Sequence, residues 1–148
     1  MNLKAKLAYT LILFALFPTV DANAMSLEDF GRMNNDDEAT FVTLLVEGSA
    51  QMLKARGQPD QARKAVALFR DPSKNGGVQQ FASNLKMVNS LNKRNAINPN
   101  NRAHVYQVED AMELTLKDAG ILVPTSYLLT VSKDFAPAGP PRQLTGGE

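Results

Sequence analysis

The sequence of 148 residues contains no cysteine, no tryptophan and a single histidine. Without cysteine there is no disulfide, no thiol nucleophile, no dithiol redox chemistry and no cysteine-ligated zinc. One histidine, His104, cannot build a zinc site alone, and as a general base it needs a partner from elsewhere in the chain. Aromatic residues make up 7% of the chain, so no large aromatic-lined ligand cavity is advertised. Charge of one sign is lacking as well. With 16 basic and 15 acidic residues the net charge is +1, which leaves no electrostatic footprint for a nucleic-acid partner. No serine stands in a Gly-x-Ser-x-Gly elbow, and Gly76-Gly77 is not followed by the Lys-Ser/Thr of a phosphate-binding loop. Nothing in the pattern calls for a cofactor.

Long hydrophobic runs are absent too. The longest, Leu7 to Phe17, falls short of the roughly 20 residues a membrane helix needs. Lys4 and Lys6 precede it, Pro18 breaks it, and Ala22-Asn23-Ala24 offers small residues where a signal peptidase reads. Residues 1–24 therefore read as a cleavable leader, with no stable membrane insertion once it is removed. No cysteine follows the run to accept a lipid. Removing Lys4 and Lys6 leaves 14 basic residues and removing Asp21 leaves 14 acidic ones, so the mature chain is near neutral. Met25 to Glu148 is long enough for one domain with one core. An exported domain without disulfides must be held by that core, which suits a periplasmic or similarly mild secreted setting.

What is present is helical periodicity. Asp36 to Gly57 is the centre of the pattern. Phe41, Val42, Leu45, Val46, Ser49, Met52 and Leu53 recur at steps of three and four, one broad helical stripe. Asn34 or Asn35 can cap this helix, three carboxylates (Asp36, Asp37, Glu38) sit in its first turn, and Gly57 stops it. Before it, Ser26 with Asp29 three residues on forms a near capping box over Leu27 and Phe30. After it, Pro59 suits the first position of a helix to about Arg70, and the short link predicts a helical hairpin. A third long helix is predicted from about Val78 to Lys93, with Val78, Phe81, Ala82, Leu85, Val88 and Leu91 inward. A fourth is predicted from about Pro99 to Ala119, with Gly120 as its cap and Ile121 beyond. Val123 to Leu129 is open between a short helix and an extended cover, and Thr130-Val131-Ser132 leans extended. From Ala136 the chain has nothing to bury and reads as a disordered tail. The predicted fold is all-α: a bundle of about four main helices with short flanking ones, residues 25–135, and a tail, 136–148.

The sharpest chemical pattern is the loop after Phe69. Asp71, Ser73 and Asn75 carry oxygens at alternate positions and Gly76 is sixth, as in a calcium loop flanked by helices. The twelfth position is Ala82, where a bidentate Glu should stand, so an Asp-Pro exit followed by a Gly-Gly turn is the simpler reading. His104 has Asn100, Asn101, Gln107 and Val108 at helical spacing and no carboxylate beside it. Glu109, Asp110 and Glu113 read as a solvated face, and Asp36, Asp37 and Glu38 as a favourable helix start. Met25, Met33, Met52, Met87 and Met112 read as core fillers. Gly48 is the oddity, because glycine inside a helix costs about 1 kcal/mol relative to alanine. Either another helix approaches closely there or a partner's backbone docks.

Phe41-Val42-Thr43-Leu44-Leu45-Val46-Glu47-Gly48 resembles the Tyr-Val-x-Gly-Phe-x-Asp-Gly helix of Tai-type immunity proteins, small periplasmic helical proteins that neutralise peptidoglycan amidase effectors of type VI secretion. Gly77 to Phe81, the helix over Leu85 to Leu91, Asn98 to His104 and the Ala111 to Ala119 helix are similar to that family's later segments, so the likeness spans about Leu27 to Ala119. The resemblance implies an exported all-α domain, often a homodimer, that works by binding and not by chemistry. Loops on a rigid scaffold carry function, so the polar loops at 71–77 and 95–101 are the expected contact regions. The candidate partner-binding residues are Glu47, Gly48, Lys74 and Asn75. The chain is thus expected to be a non-enzymatic binder of a protein partner, inhibitor- or immunity-like. The alternative is a small-ligand or calcium-binding helical module, and a weaker third reading is a hydrolase around His104 and Glu109.

Overall fold

The computed structural model describes residues 24–70, 77–95 and 107–139. Among these it holds six helices: α1 (Leu27–Arg32), α2 (Asn35–Ala55), α3 (Pro59–Arg70), α4 (Gly77–Asn95), α5 (Val108–Asp118) and α6 (Thr125–Ser132). The described residues form no strand, only one antiparallel bridge between Ser26 and Gln107. The all-α bundle read from the periodicity is what the chain adopts.

Local chemistry sets most of the boundaries. Ser26 accepts the Asp29 N–H at 3.0 Å while its own hydroxyl donates to the Asp29 carboxylate at 2.8 Å, which starts α1. Asn34 accepts the Asp37 N–H at 2.8 Å and starts α2. Gly57 and Gly120 stop α2 and α5 with φ of 73° and 78°, where a residue with a Cβ would be strained. Each carries the paired closing bonds of a Schellman motif. At the first stop Gln58 donates to Leu53 and Gly57 to Lys54; at the second Ile121 donates to Leu116 and Gly120 to Lys117. The second bond set tucks Ile121 fully into the core.

Helix α2 is the centre of the packing. It touches α3, α4 and α6, while α1 and α3 also lie on α4, and α5 on α6. Phe41, Val42 and Leu45 are wholly buried, and Ala62 and Ala65 of α3 are too, small enough to let the hairpin close tightly. Aromatic rings join the layers. Phe41 lies 6.2 Å from Phe30 and 4.9 Å from Phe135, and Phe69 meets Phe81 edge-on at 5.5 Å.

Three expectations are corrected. Thr130, Val131 and Ser132 are helical, not extended. Intrinsic preference for β-branched residues yields there to tertiary contacts, since Leu128 is fully buried and Tyr127 donates its hydroxyl to the Gly48 carbonyl at 3.1 Å. Helix α5 begins at Val108, later than the predicted Pro99, because Gln107 is extended (φ −135°, ψ 151°) and pairs with Ser26; residues 96–106 lie outside the described residues. At the start of the tail, two backbone groups reach α2. Ala138 and Gly139 donate N–H groups to the Asp37 carboxylate at 3.0 and 3.1 Å. Finally, Met87 and Leu91 of α4 point outward, 58% and 45% exposed, instead of filling the core.

Candidate functional site

The first turn of α2 places three consecutive carboxylates, and the stripe that follows decides their fates. Asp36 is exposed, whereas Asp37 and Glu38 are buried. Glu38 precedes Phe41, Val42 and Leu45 by three, four and seven residues, so it shares their inward face. Its Oε2 pairs with Lys86 Nζ of α4 at 2.8 Å, the lysine being 35% exposed. Its Oε1 is buried with no hydrogen-bond partner among the described residues. A buried acceptor left unpaired costs about 1–3 kcal/mol.

Glu38 and Lys86 line a cleft of about 330 Å³ between the start of α2 and the first half of α4. Asn35, Asp36 and Ala39 form the α2 wall, and Val78, Gln79, Ala82 and Ser83 the α4 wall. Ser83, Met87 and Leu91 follow at steps of four on α4, so the exposed Met87 and Leu91 continue the line of that wall. The arrangement is a polar floor beside an exposed apolar ridge, suited to binding.

Asp37 turns the other way. It accepts the side-chain amide of Asn34 at 2.9 Å along with the N–H groups of Ala138 and Gly139. The Ala138 N–H above all, with those of Gly139 and Asn34, holds its carboxyl below the ordinary aspartate value despite burial. The reading of Asp36, Asp37 and Glu38 as merely a favourable helix start is thus corrected: two of the three hold tertiary contacts.

The second acidic group, on α5, is also not a solvated face. Glu109 is fully buried. Both its oxygens accept the Met25 backbone N–H, at 3.0 and 3.1 Å, and Oε1 also takes the Ser132 hydroxyl at 2.5 Å. Burial raises its pKa above the ordinary glutamate value, with Ser132 and Met25 pulling the other way. Asp110 accepts the Thr125 hydroxyl at 3.0 Å, and Glu113 accepts the Thr125 N–H at 2.6 Å as well as that hydroxyl. Glu113 thereby caps α6, whose N-cap residue, Pro124, makes no side-chain cap bond. The signal for Glu109 was in the sequence: it leads Met112 and Leu116 by three and seven residues, in the inward register of α5.

Of the residues singled out from sequence, Asp71, Ser73, Lys74, Asn75 and His104 lie outside the described residues. Glu47 is exposed and lines a smaller cleft of about 120 Å³ with Thr43, Val46, Val66, Phe69, Arg70 and Val78. Arg70 and Val78 flank residues 71–76, so Glu47 sits beside the two ends of that segment. Gly48 is different. A Cβ there would lie 2.8 Å from both γ-methyls of Val131, so α6 of the same chain occupies its surface, and the docking account of Gly48 gives way to close helix approach. Among the described residues no group of three or more His, Cys, Asp or Glu is placed to hold a metal ion. Compared with protein-family models, with curated proteins and with solved structures, the chain matches none.

Proposed function

We propose that this chain is an exported, non-enzymatic helical protein that binds a protein partner through the α2–α4 face, as an inhibitor or immunity-like factor. The observation that carries the reading is Glu38. Its carboxylate is buried at a surface cleft with one oxygen on Lys86 and the other unpaired, which leaves acceptor capacity for a donor from outside. A partner's Arg or Lys side chain entering the cleft would take that oxygen. Met87 and Leu91 beside it offer the apolar contact that anchors an interface. The near-neutral charge of the mature chain agrees with a protein partner more than with a nucleic acid. The leader-like start supports export, and among the described residues no helix is long and apolar enough to cross a membrane. The likeness to Tai-type segments supports the immunity-like role.

The test immobilises the chain from Met25 to Glu148 and passes periplasmic extracts of its source and of neighbouring bacteria over it. The expected result is one protein retained in stoichiometric amount, lost with Met87→Asp and Leu91→Asp at unchanged melting temperature, and kept with Leu122→Asp, a substitution at a 70% exposed site after α5. Retention indifferent to the α4 substitutions removes this face from the account. An empty column with a melting temperature that rises with calcium or a small amine turns the reading to the ligand-binding alternative.

A further inference from the structure

The buried Glu109 carboxylate is the one fully buried charge for which the described residues supply no cation. Every ion pair among them lies elsewhere. Arg32, the basic residue lining the cleft next to Met25, is engaged by Glu28 at 2.8 Å and Asp29 at 3.9 Å. The next carboxylate on α5, Asp110, adds negative charge beside Glu109. What does reach Glu109 is a backbone nitrogen, that of Met25, lying 3.0 and 3.1 Å from its two oxygens. That nitrogen is held from both sides of its residue. The Met25 carbonyl accepts the Val108 N–H at 2.9 Å, and the next residue, Ser26, bridges to Gln107.

Met25 is also the residue that follows Ala22-Asn23-Ala24, where the sequence offers a leader peptidase its small residues. We propose that cleavage after Ala24 is a maturation step of the fold: water adds across the Ala24–Met25 peptide bond, Ala24 leaves as a carboxylate, and the Met25 nitrogen becomes an α-ammonium group that forms an ion pair with the buried Glu109. As an amide, the nitrogen has one proton to share between two carboxylate oxygens. As an ammonium it has three protons and a positive charge, already at hydrogen-bond distance from both oxygens. A buried carboxylate is tolerated when a cation is paired with it and costly when none is. The domain with its leader attached would therefore carry an uncompensated charge that the processed domain does not.

The inference rests on the export reading above, and the test separates the two. The N-terminal residue of the protein recovered after export is sequenced. A start at any residue other than Met25 overturns the export-coupled step. Independently, the chain from Met25, released from a fusion cut directly before that residue, is compared with the same chain keeping Ala22 to Ala24. The ion pair predicts a higher melting temperature for the Met25 chain. It also predicts an α-amino pKa raised by about one unit or more above the usual value near 8, and so an acylation rate at neutral pH about tenfold lower than in the longer chain. Glu109→Gln should erase both differences. If that variant does not fold, the acylation rates of the two unsubstituted chains decide. Equal melting with an α-amine as reactive as in the longer chain overturns the ion pair, whatever the export result.

Discussion

Val131 of α6 lies where the side chain of residue 48 would be: both its γ-methyls stand 2.8 Å from the position of a Cβ on Gly48. Val131 is β-branched and cannot swing aside as a longer chain would. Gly48→Ala should gain about 1 kcal/mol in helix propensity and lose about 1–3 kcal/mol to overpacking. The expected net is a loss of about 1 kcal/mol in denaturant unfolding. Val131→Ala should relieve it, so the double variant is more stable than the sum of the two singles. Additive effects would show that the contact is loose.

Lys86→Met should destabilise more than a half-exposed lysine ordinarily would, because it leaves the Glu38 carboxylate with neither oxygen paired. The expected cost is about 2 kcal/mol, lowered by the partial exposure of Lys86. Pairing it with Glu38→Met should recover most of the loss. Urea midpoints of the three variants check this, and a double variant weaker than Lys86→Met alone would refute it.

Asp37 and Glu109 should give pH dependences of opposite sign. Asp37 has its carboxyl held below the ordinary 3.8, first by the Ala138 N–H, so its stabilisation is present above that value and lost as pH falls through the lower folded one. Glu109 is raised above its ordinary 4.5 by burial, so its contribution is full below 4.5 and lost as pH rises through the higher folded value. The Glu109 effect belongs to a chain still carrying Ala22 to Ala24, in which the Met25 nitrogen is an amide. In that chain Asp37→Asn should flatten stability below about pH 4 and Glu109→Gln should flatten it above about pH 4.5. Urea midpoints from pH 2 to pH 8 read both.

Glu113→Ala should free the start of α6, since its carboxylate takes the Thr125 N–H and hydroxyl. A lost cap of this kind costs about 1 kcal/mol. Amide exchange of residues in the first turn of α6 should quicken while that of α2 stays as it was. Uniform exchange changes would contradict a local cap.

The pattern of apolar residues by itself determined helices α1 to α5, most of their ends and the inward faces, because caps, stop glycines and periodicity act over a few residues. Asn34, Pro59, Gly57 and Gly120 stand where local chemistry puts them. The acids were only half legible. Glu38 and Glu109 stand in inward register on their helices, but their rows of charged neighbours read as solvent-facing. Whether a carboxylate is solvated or buried depends on what packs over it, and that comes from far along the chain. The Met25 nitrogen reaches Glu109 across 84 positions, and Ala138 reaches Asp37 across 101. For the same reason only the tertiary structure made α6 a helix and tied Ala138 and Gly139 to α2. Their own residues favour neither state strongly, and the contacts with Gly48 and Asp37 decide.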